Sequence, residues 1–297
     1  MNWFFAILAA GLACAIWGIA IERYLFVIRR ETVKILPPNA KPITVLHIGD
    51  IHLAPWQKRK AAFVHSLGAL KPDLVINTGD NLGHTDAIGP VLTALAPLLE
   101  RPGVFVNGSN DYYAPVLRNP LGYLAKPSER SEGPVLDTAR LVGGFRSAGW
   151  LNLNNCEGQI TINGLKLGFM GVDDAHDELD NLTSIPAQAN ALAGCDLVIG
   201  VSHAPYLRVL ESMGSSGASI IFAGHTHGGQ VCLPGIGALT TNCDLPAKYA
   251  KGISAWRFAG RDVILNVVAG LGHSIYAPVR FFCRPEVRLI TLAAKEN

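Results

Sequence analysis

Five apolar segments follow one another along the chain, and each ends in a short loop that carries Asp, Asn or His. Residues 58–70, between the first two segments, repeat their apolar positions at helical spacing. This alternation predicts an α/β fold in which the five segments are strands. Functional sites in open α/β sheets form at the carboxyl ends of the strands, so we expect the five loops to converge. The predicted strands are 43–48, 73–77, 104–106, 196–201 and 219–223.

The five loops hold a set of candidate metal ligands. Carboxylates and imidazoles without thiolates suit Mn, Fe, Co or Zn and argue against a cysteine-type structural zinc site. Seven oxygen and nitrogen donors exceed the need of one tetrahedral ion. Two ions about 3.5–4 Å apart, bridged by one carboxylate, would use all of them and would activate water for in-line attack on phosphorus. The seven donors are Asp50, His52, Asp80, Asn110, His203, His225 and His227.

The loops also contain five sequence blocks in a fixed order, and the ordered set is much more specific than any single block. The blocks are Gly49-Asp50-Ile51-His52, Gly79-Asp80-Asn81, Gly108-Ser109-Asn110-Asp111, His203 and Gly224-His225-Thr226-His227. Over about residues 43–270 they resemble the motifs of the calcineurin-like metallophosphoesterases. The apolar N-terminus and the block Gly-His-Thr-His-Gly-Gly-Gln make the chain most similar to the membrane-associated bacterial YkuE-like group.

The resemblance implies a four-layer α/β/β/α sandwich, preceded here by one N-terminal transmembrane helix, and two bound divalent ions. Asp50, His52 and His227 would hold the first ion. Asp80 would bridge the two ions, and a hydroxide between them would be the nucleophile, because two Lewis acids lower the pKa of bound water. The expected substrate is a phosphoester.

For the second ion the resemblance implies His203, His225 and an amide oxygen. One block departs from the family's Gly-Asn-His-Asp pattern, because Ser109 stands at the Asn position and Asn110 at the His position. We expect Asn110 to supply the amide ligand, with Ser109 or Asp111 as alternatives. Without a His to protonate the leaving oxygen, a contribution of roughly 10²–10⁴-fold is lost unless another group replaces it. The predicted catalytic residues are Asp80, Asn110, Asp111 and His203.

An uncharged apolar run occupies residues 3–21. As a helix it would be roughly 28 Å long, enough for the hydrocarbon core of a membrane. A cleaved signal peptide is the alternative, but it would need a basic segment before the run. We predict an uncleaved single-pass anchor in the cell membrane. The basic residues follow the run, so the positive-inside rule places the catalytic domain in the cytoplasm; they are Arg23, Arg29, Arg30 and Lys34.

Prolines mark the boundaries of the predicted domains. Pro37, Pro38 and Pro42 form a stiff stretch before the first strand. We therefore divide the chain into a membrane anchor at 1–30, a Pro-rich connector at 31–42 and a metallophosphoesterase domain at 43–297. Residues 114–136 lose their apolar periodicity and gain four prolines, which predicts an insertion or lid.

Charge, cysteine usage and missing motifs exclude several classes of protein. With 25 basic and 23 acidic residues the net charge is +2, so nucleic acid is not expected as the main partner. The six cysteines show no CxxC spacing and indicate reduced thiols, with a Cys243 to Cys283 bridge possible if the domain lies outside the cytoplasm. Serine hydrolase, P-loop and Rossmann motifs are missing from the sequence.

Three functions stay open at this point. The leading one is metal-dependent hydrolysis of a phosphodiester or phosphoanhydride, with a lipid or envelope-precursor phosphate at the membrane as substrate. The second is a phosphatase or cyclic-nucleotide phosphodiesterase that acts on soluble substrates. The third is a non-catalytic metal-binding scaffold, which the altered block around Asn110 suggests.

Overall fold

The computed structural model describes residues 2–117 and 133–296. This part of the chain contains fourteen strands and seven α-helices. The strands are β1 (Val27–Leu36), β2 (Ile43–Ile48), β3 (Leu74–Asn77), β4 (Gly103–Phe105), β5 (Leu151–Asn152), β6 (Glu157–Ile162), β7 (Leu165–Gly171), β8 (Leu197–Ser202), β9 (Ile220–Ala223), β10 (Cys232–Leu233), β11 (Gly237–Ala238), β12 (Gly252–Phe258), β13 (Arg261–Val267) and β14 (Glu286–Ala294). The helices are α1 (Asn2–Ile16), α2 (Lys58–Ser66), α3 (Ile88–Leu99), α4 (Ser109–Tyr112), α5 (Thr138–Ser147), α6 (Ile185–Ala191) and α7 (Leu207–Ser215).

Twelve of these strands form two six-stranded sheets. The first sheet has the order β1-β14-β2-β3-β4-β5 and the second the order β12-β13-β9-β8-β7-β6. In the first, β2 to β5 are parallel and β14 runs antiparallel to β2. In the second, β13, β9, β8 and β7 are parallel, and antiparallel partners close both edges. The carboxyl ends of the parallel strands therefore lie at one edge of each sheet.

The two sheets pack face to face, and helices cover their outer faces. In β2, Val45 points into the core between the sheets, whereas Leu46 packs in the outer core with residues of α2, α3 and α5. Because both faces of the strand are covered, its sequence is a continuous apolar run rather than an alternating one. Helices α6 and α7 cover the second sheet through side chains such as Ile185 and Leu210. This arrangement confirms the predicted four-layer α/β/β/α sandwich.

The hairpin between β6 and β7 turns at Asn163-Gly164. The two strands pair in antiparallel register up to Ile162 and Leu165. Asn163 and Gly164 both have positive φ, 52° and 82°. A two-residue turn needs this backbone geometry at both positions, and Asn-Gly is the dipeptide that adopts it most easily.

The first strand corrects the predicted domain boundaries. Residues 27–36 form β1, which pairs in parallel with β14 along its length, so the anchor at 1–30 and the connector at 31–42 both overlap a strand of the first sheet. Charged residues occupy much of β1, which hides its apolar positions in the sequence. Its partner strand is also far away along the chain, so no local signal identifies the pairing.

The predicted insertion at 114–136 is described only at its ends, because residues 118–132 lie outside the described part of the chain. Tyr113 and Val135 form an isolated antiparallel bridge. The backbone N–H of Ala114 donates to the carbonyl of Pro134. The two ends of this segment therefore meet beside α4.

The N-terminal helix continues beyond α1 as a π-helical turn at Trp17–Ile21 and a 3-10 turn at Glu22–Tyr24. By length and composition the helical stretch Trp3–Tyr24 is able to cross a membrane: it has 22 residues and a mean hydropathy of 2.4. Near its end the stretch contacts the rest of the protein: the carbonyl of Gly18 accepts the backbone N–H of Arg280 at 3.1 Å.

Candidate metal centre

Four predicted ligands lie together where the carboxyl ends of the strands meet. The potential ligand atoms of Asp50, His52, Asp80 and His227 are all within 4.8 Å of one another. His52 Nε2 lies 3.2 Å from His227 Nε2 and 3.3 Å from Asp80 Oδ2. His227 Nε2 is 3.7 Å from Asp50 Oδ1. These residues are the set that the sequence assigned to the first ion, together with the bridging carboxylate.

The remaining predicted ligands lie close to Asp80 or to one another. His203 Nε2 is 3.6 Å from the same Asp80 Oδ2 and 3.3 Å from His225 Nδ1. The side-chain amide of Asn110 contacts Asp80 Oδ2 at 3.0 Å, and its backbone N–H donates to Asp80 Oδ1 at 2.8 Å. Asp80 therefore lies between two groups of donors, as a bridging ligand requires.

The loops reach this geometry through unusual backbone conformations. Five of the ligands have positive φ, which non-glycine residues rarely adopt and which costs roughly 1–3 kcal/mol per residue. Bonds between the loops hold them in place: the Asp50 N–H donates to the carbonyl of Gly79, and the Gly224 N–H donates to that of His203, both at 2.8 Å. Strain of this kind is concentrated at functional sites. The five residues are Asp50, His52, Asp80, His225 and His227.

Hydrogen bonds to backbone carbonyls set the orientation of three imidazoles. His203 Nδ1 lies 2.7 Å from the carbonyl of Thr78, and His225 Nε2 lies 3.1 Å from that of Asn242. His227 Nδ1 lies 3.3 Å from the carbonyl of Gly272. In each ring the other nitrogen faces the cluster and is free to act as a ligand, which is the usual arrangement around a metal-bound histidine.

Burial and mutual charge shift the pKa values of the carboxylates apart. Burial raises the pKa of Asp50 to about 6, against the opposing effect of the His203 charge. Burial would also raise the pKa of Asp80, but His203, His52 and hydrogen bonds from His52 and Asn110 outweigh it and hold that pKa well below its usual value. Asp80 is therefore ionised, as a bridging ligand must be.

The pKa values of the imidazoles are also shifted in opposite directions. Burial, followed by the charges of His176 and His203, holds the pKa of His225 well below its usual value. Burial, together with His52 and Arg280, does the same for His227. For His203, burial is outweighed by Asp80, Asp174 and Asp50, which raise its pKa to about 9. A bound cation would displace that proton, because only neutral imidazole binds a metal.

Asp111 holds two loops together. Its carboxylate accepts the backbone N–H of Asn81 at 2.8 Å and that of Gly108 at 3.2 Å, and the side-chain amide of Asn81 also donates to it. Burial and the Asp80 charge raise its pKa to about 6. These contacts give Asp111 a positioning role between the Asp80 loop and the Asn110 loop.

Several residues around the cluster had no signal in the sequence. Arg280 is fully buried and donates to the carbonyls of Gly272 and His227, so it holds the His227 loop in place. Asp174 is also fully buried, and its charge acts on His203. A single Arg in a β-rich tail and a pair of acids after a strand are ordinary in sequence. Only their complete burial in the folded protein separates Arg280 and Asp174 from ordinary surface charges.

The donor set fits divalent metal ions. It combines buried carboxylates with imidazoles oriented by carbonyls, and His52 Nδ1 is buried without a hydrogen-bond partner. Oxygen and nitrogen donors of this kind suit Mn, Fe, Co and Zn. Burying carboxylates at this density is costly without a compensating cation. Metal binding is therefore the state for which the cluster is built.

A sandwich whose strand-end loops gather such a cluster around one shared carboxylate defines a metallophosphoesterase. The family model for calcineurin-like phosphoesterases matches residues 43–229. The chain belongs to this family, which is hydrolytic and typically binds two divalent metals. The resemblance seen in the five sequence blocks is thereby confirmed.

Two curated proteins and one solved structure illustrate what the chain is similar to. The chain is 24% identical to the uncharacterized metallophosphoesterase YkuE of Bacillus subtilis (strain 168), over 97% of this chain and 94% of that protein. It is 27% identical to a transmembrane protein with metallophosphoesterase domain from Bos taurus, over 66% of this chain and 43% of that protein. Among solved structures, the protein TT1561 of Thermus thermophilus is similar with a TM-score of 0.43 and 10% identity, covering 78% of this chain and 91% of that one.

Proposed function

We propose that this protein hydrolyses a phosphodiester or phosphoanhydride with a dinuclear metal centre. The single observation that carries the proposal is the position of Asp80, whose Oδ2 lies 3.3 Å from His52 Nε2 and 3.6 Å from His203 Nε2. Two divalent ions bound there would polarise the phosphoryl oxygens and lower the pKa of water for in-line attack.

Each side chain of the centre has a proposed task. Asp50, His52 and His227 hold the first ion, and Asp80 is shared by both. The ligands proposed for the second ion are His203, His225 and Asn110.

The nature of Asn110 bears on the substrate class. An amide cannot donate a proton as a general acid at neutral pH, so the leaving group must depart with little help from this position. Phosphoanhydrides and diesters with a stable leaving anion meet this condition better than simple alkyl monoesters. The side-chain Nδ2 of Asn110 donates to Asp80 Oδ2, so the amide lies beside the shared carboxylate, and its Oδ1 would be the atom that binds the second ion.

We further propose that Trp3–Tyr24 is an uncleaved membrane anchor, with the catalytic domain on the cytoplasmic side. The helical stretch has the length and hydropathy for a span, and basic residues follow it. A lipid or an envelope precursor that carries a phosphate would then be within reach of the metal centre.

The central test is hydrolysis of bis-(p-nitrophenyl) phosphate and p-nitrophenyl phosphate by the purified full chain, with Mn and with chelator. We expect about two metals per chain and Mn-stimulated cleavage of the diester that Asp80→Ala reduces by at least roughly 10³-fold, since both ions lose a ligand. The matched control is Asp262→Ala, because the side chain of Asp262 is 84% exposed at the far end of β13. Two bound metals without turnover on either substrate would instead favour the metal-binding scaffold.

A further inference from the structure

A cavity of about 510 Å³ adjoins the metal centre but contains none of its ligands. It is formed by the β10–β11 hairpin, the 3-10 turn at Ala247–Tyr249 and Phe282. Gly228, the residue after the ligand His227, is part of its lining. A molecule in this cavity would therefore touch the loop that carries a metal ligand.

One part of the lining is apolar and faces the solvent. Ile236, at the tip of the hairpin, is 74% exposed, and Phe282 is 56% exposed; Leu233 is exposed as well. Single exposed apolar residues are ordinary, but a group of them around one cavity marks an interaction site. The partner of this surface must therefore have an apolar part.

Another part of the lining is cationic. Lys248 and Lys251 are both exposed, and no Asp or Glu occurs among the described residues that line the cavity. Lys248 Nζ lies 4.7 Å from the centroid of the Tyr249 ring, and Lys251 Nζ lies 3.6 Å from Cys283 Sγ. Neither of these contacts pairs an ammonium group with a carboxylate. Among the described residues, the cavity lining thus combines an apolar wall with two lysines and no carboxylate, which suits an anionic amphiphile.

The position of the cavity relative to the membrane-spanning stretch indicates where that amphiphile comes from. Glu22, near the end of the stretch, accepts the backbone N–H of Phe282 at 2.9 Å, and Gly18 accepts that of Arg280. Both Gly18 and Glu22 lie near the end of the stretch, which is at Tyr24. In a membrane spanned by this stretch, the segment at 280–282 would lie close to the membrane surface, and Phe282 of that segment lines the cavity.

We propose that this cavity binds an anionic phospholipid from the membrane in which the N-terminal helix is anchored. Lys248 and Lys251 contact the phosphate, and Leu233, Ile236 and Phe282 line the acyl chains. The proposal rests on the membrane anchoring proposed above but not on catalysis. It deepens the proposed function, because a lipid held against Gly228 presents its phosphate next to the His227 loop.

The test is native mass spectrometry of the full chain released from nanodiscs that contain equal amounts of phosphatidylglycerol and phosphatidylcholine, with chelator present so that no lipid is consumed. We expect the wild-type protein to retain phosphatidylglycerol preferentially. The double variant Lys248→Gln/Lys251→Gln should lower the ratio of retained phosphatidylglycerol to phosphatidylcholine by roughly tenfold or more, because each lysine near an anionic lipid contributes to binding.

Two further variants complete the design. Lys41→Gln/Lys166→Gln removes the same charge from exposed positions outside the cavity lining and should leave the ratio within about twofold of wild type. Ile236→Ser should lower the total amount of retained lipid of both kinds, because the apolar wall is weakened. An unchanged ratio in the Lys248/Lys251 variant, or no preference in the wild type, would overturn the proposal. Since binding is measured without turnover, that result would leave the hydrolysis of phosphoesters to be judged by its own assay.

Discussion

Asp80 is the residue on which both halves of the metal centre depend. One of its oxygens faces His52 and His203, and the backbone and side chain of Asn110 contact its two oxygens. These contacts keep its pKa low in a buried position where a carboxylate would otherwise be protonated. The side chain is therefore charged and fixed in orientation before a metal binds.

Substitutions of Asn110 test its role as a ligand of the second ion. Asn110→Ala should weaken binding of the second Mn ion by at least roughly 10–100-fold, the loss that is typical even for residues that only support a ligand. Asn110→Asp keeps an oxygen donor and should retain most of the binding. Metal content after dialysis against graded Mn concentrations measures the effect, with the exposed Asn190→Ala on α6 as control. Two tightly held metals in Asn110→Ala would remove Asn110 from the ligand set.

Among the elements, β1 connects the N-terminal helix to the catalytic sandwich. Val33, Ile35 and Leu36 are buried in the core between the two sheets, and the strand pairs with β14 along its length. Its charged side chains also protect the outer edge of the first sheet, where an unpaired β14 would be open to association with other chains. The strand therefore belongs to the catalytic domain, although it follows the helix directly.

Truncation tests this conclusion. A chain that starts at Ile43 lacks β1 and loses the burial of three apolar side chains, each worth about 1.5–3 kcal/mol, against a typical total stability of about 5–15 kcal/mol. We expect a large fall in Tm or aggregation, measured by circular dichroism and size-exclusion chromatography. A chain that starts at Leu25 keeps the strand and should stay folded and monodisperse. Equal Tm values for the two would contradict the structural role of β1.

In the whole molecule, the end of the helical stretch Trp3–Tyr24 packs against the catalytic domain. Glu22 is 3% exposed and accepts the indole N–H of Trp17 as well as the backbone N–H groups of Phe282 and Cys283. Adding a side chain at Gly18 would bring its Cβ to 3.0 Å from the carbonyl oxygen of Arg280. The helix and the domain therefore meet as a packed joint, without a flexible linker between them.

Reporter fusions test on which side of the membrane the catalytic domain lies. A green fluorescent protein fused to the C-terminus should fluoresce in cells, and an alkaline phosphatase fused there should be inactive, because basic residues after the span retain the domain in the cytoplasm. Three lysines inserted after Asn2 should reduce or reverse this difference. Active phosphatase in the unmodified fusion would place the domain on the outer side instead.

The sequence predicted the strands and the candidate ligand loops because both leave local signals, and the resemblance of the five blocks to a known family implied the sandwich. A buried strand such as β2 appears as an apolar run, and the Asp or His that follows it marks the loop at its end. The hairpin at Asn163-Gly164 follows from the φ preferences of two residues. In contrast, β1 was divided between an anchor and a connector, because pairing with a strand some 250 residues away leaves no local trace.

The amino-acid sequence alone was enough for the fold family, the candidate Asp and His donors and one long apolar helix, since ordered motifs and an apolar run can be seen along the chain. Only the tertiary structure decided that Asp80 lies between two donor groups, that Asp111 and Arg280 support the ligand loops and that a lysine-bearing cavity adjoins the helix. These features join segments distant in sequence. Their geometry depends on how two sheets pack and on which backbone groups are buried, and no single segment contains that information.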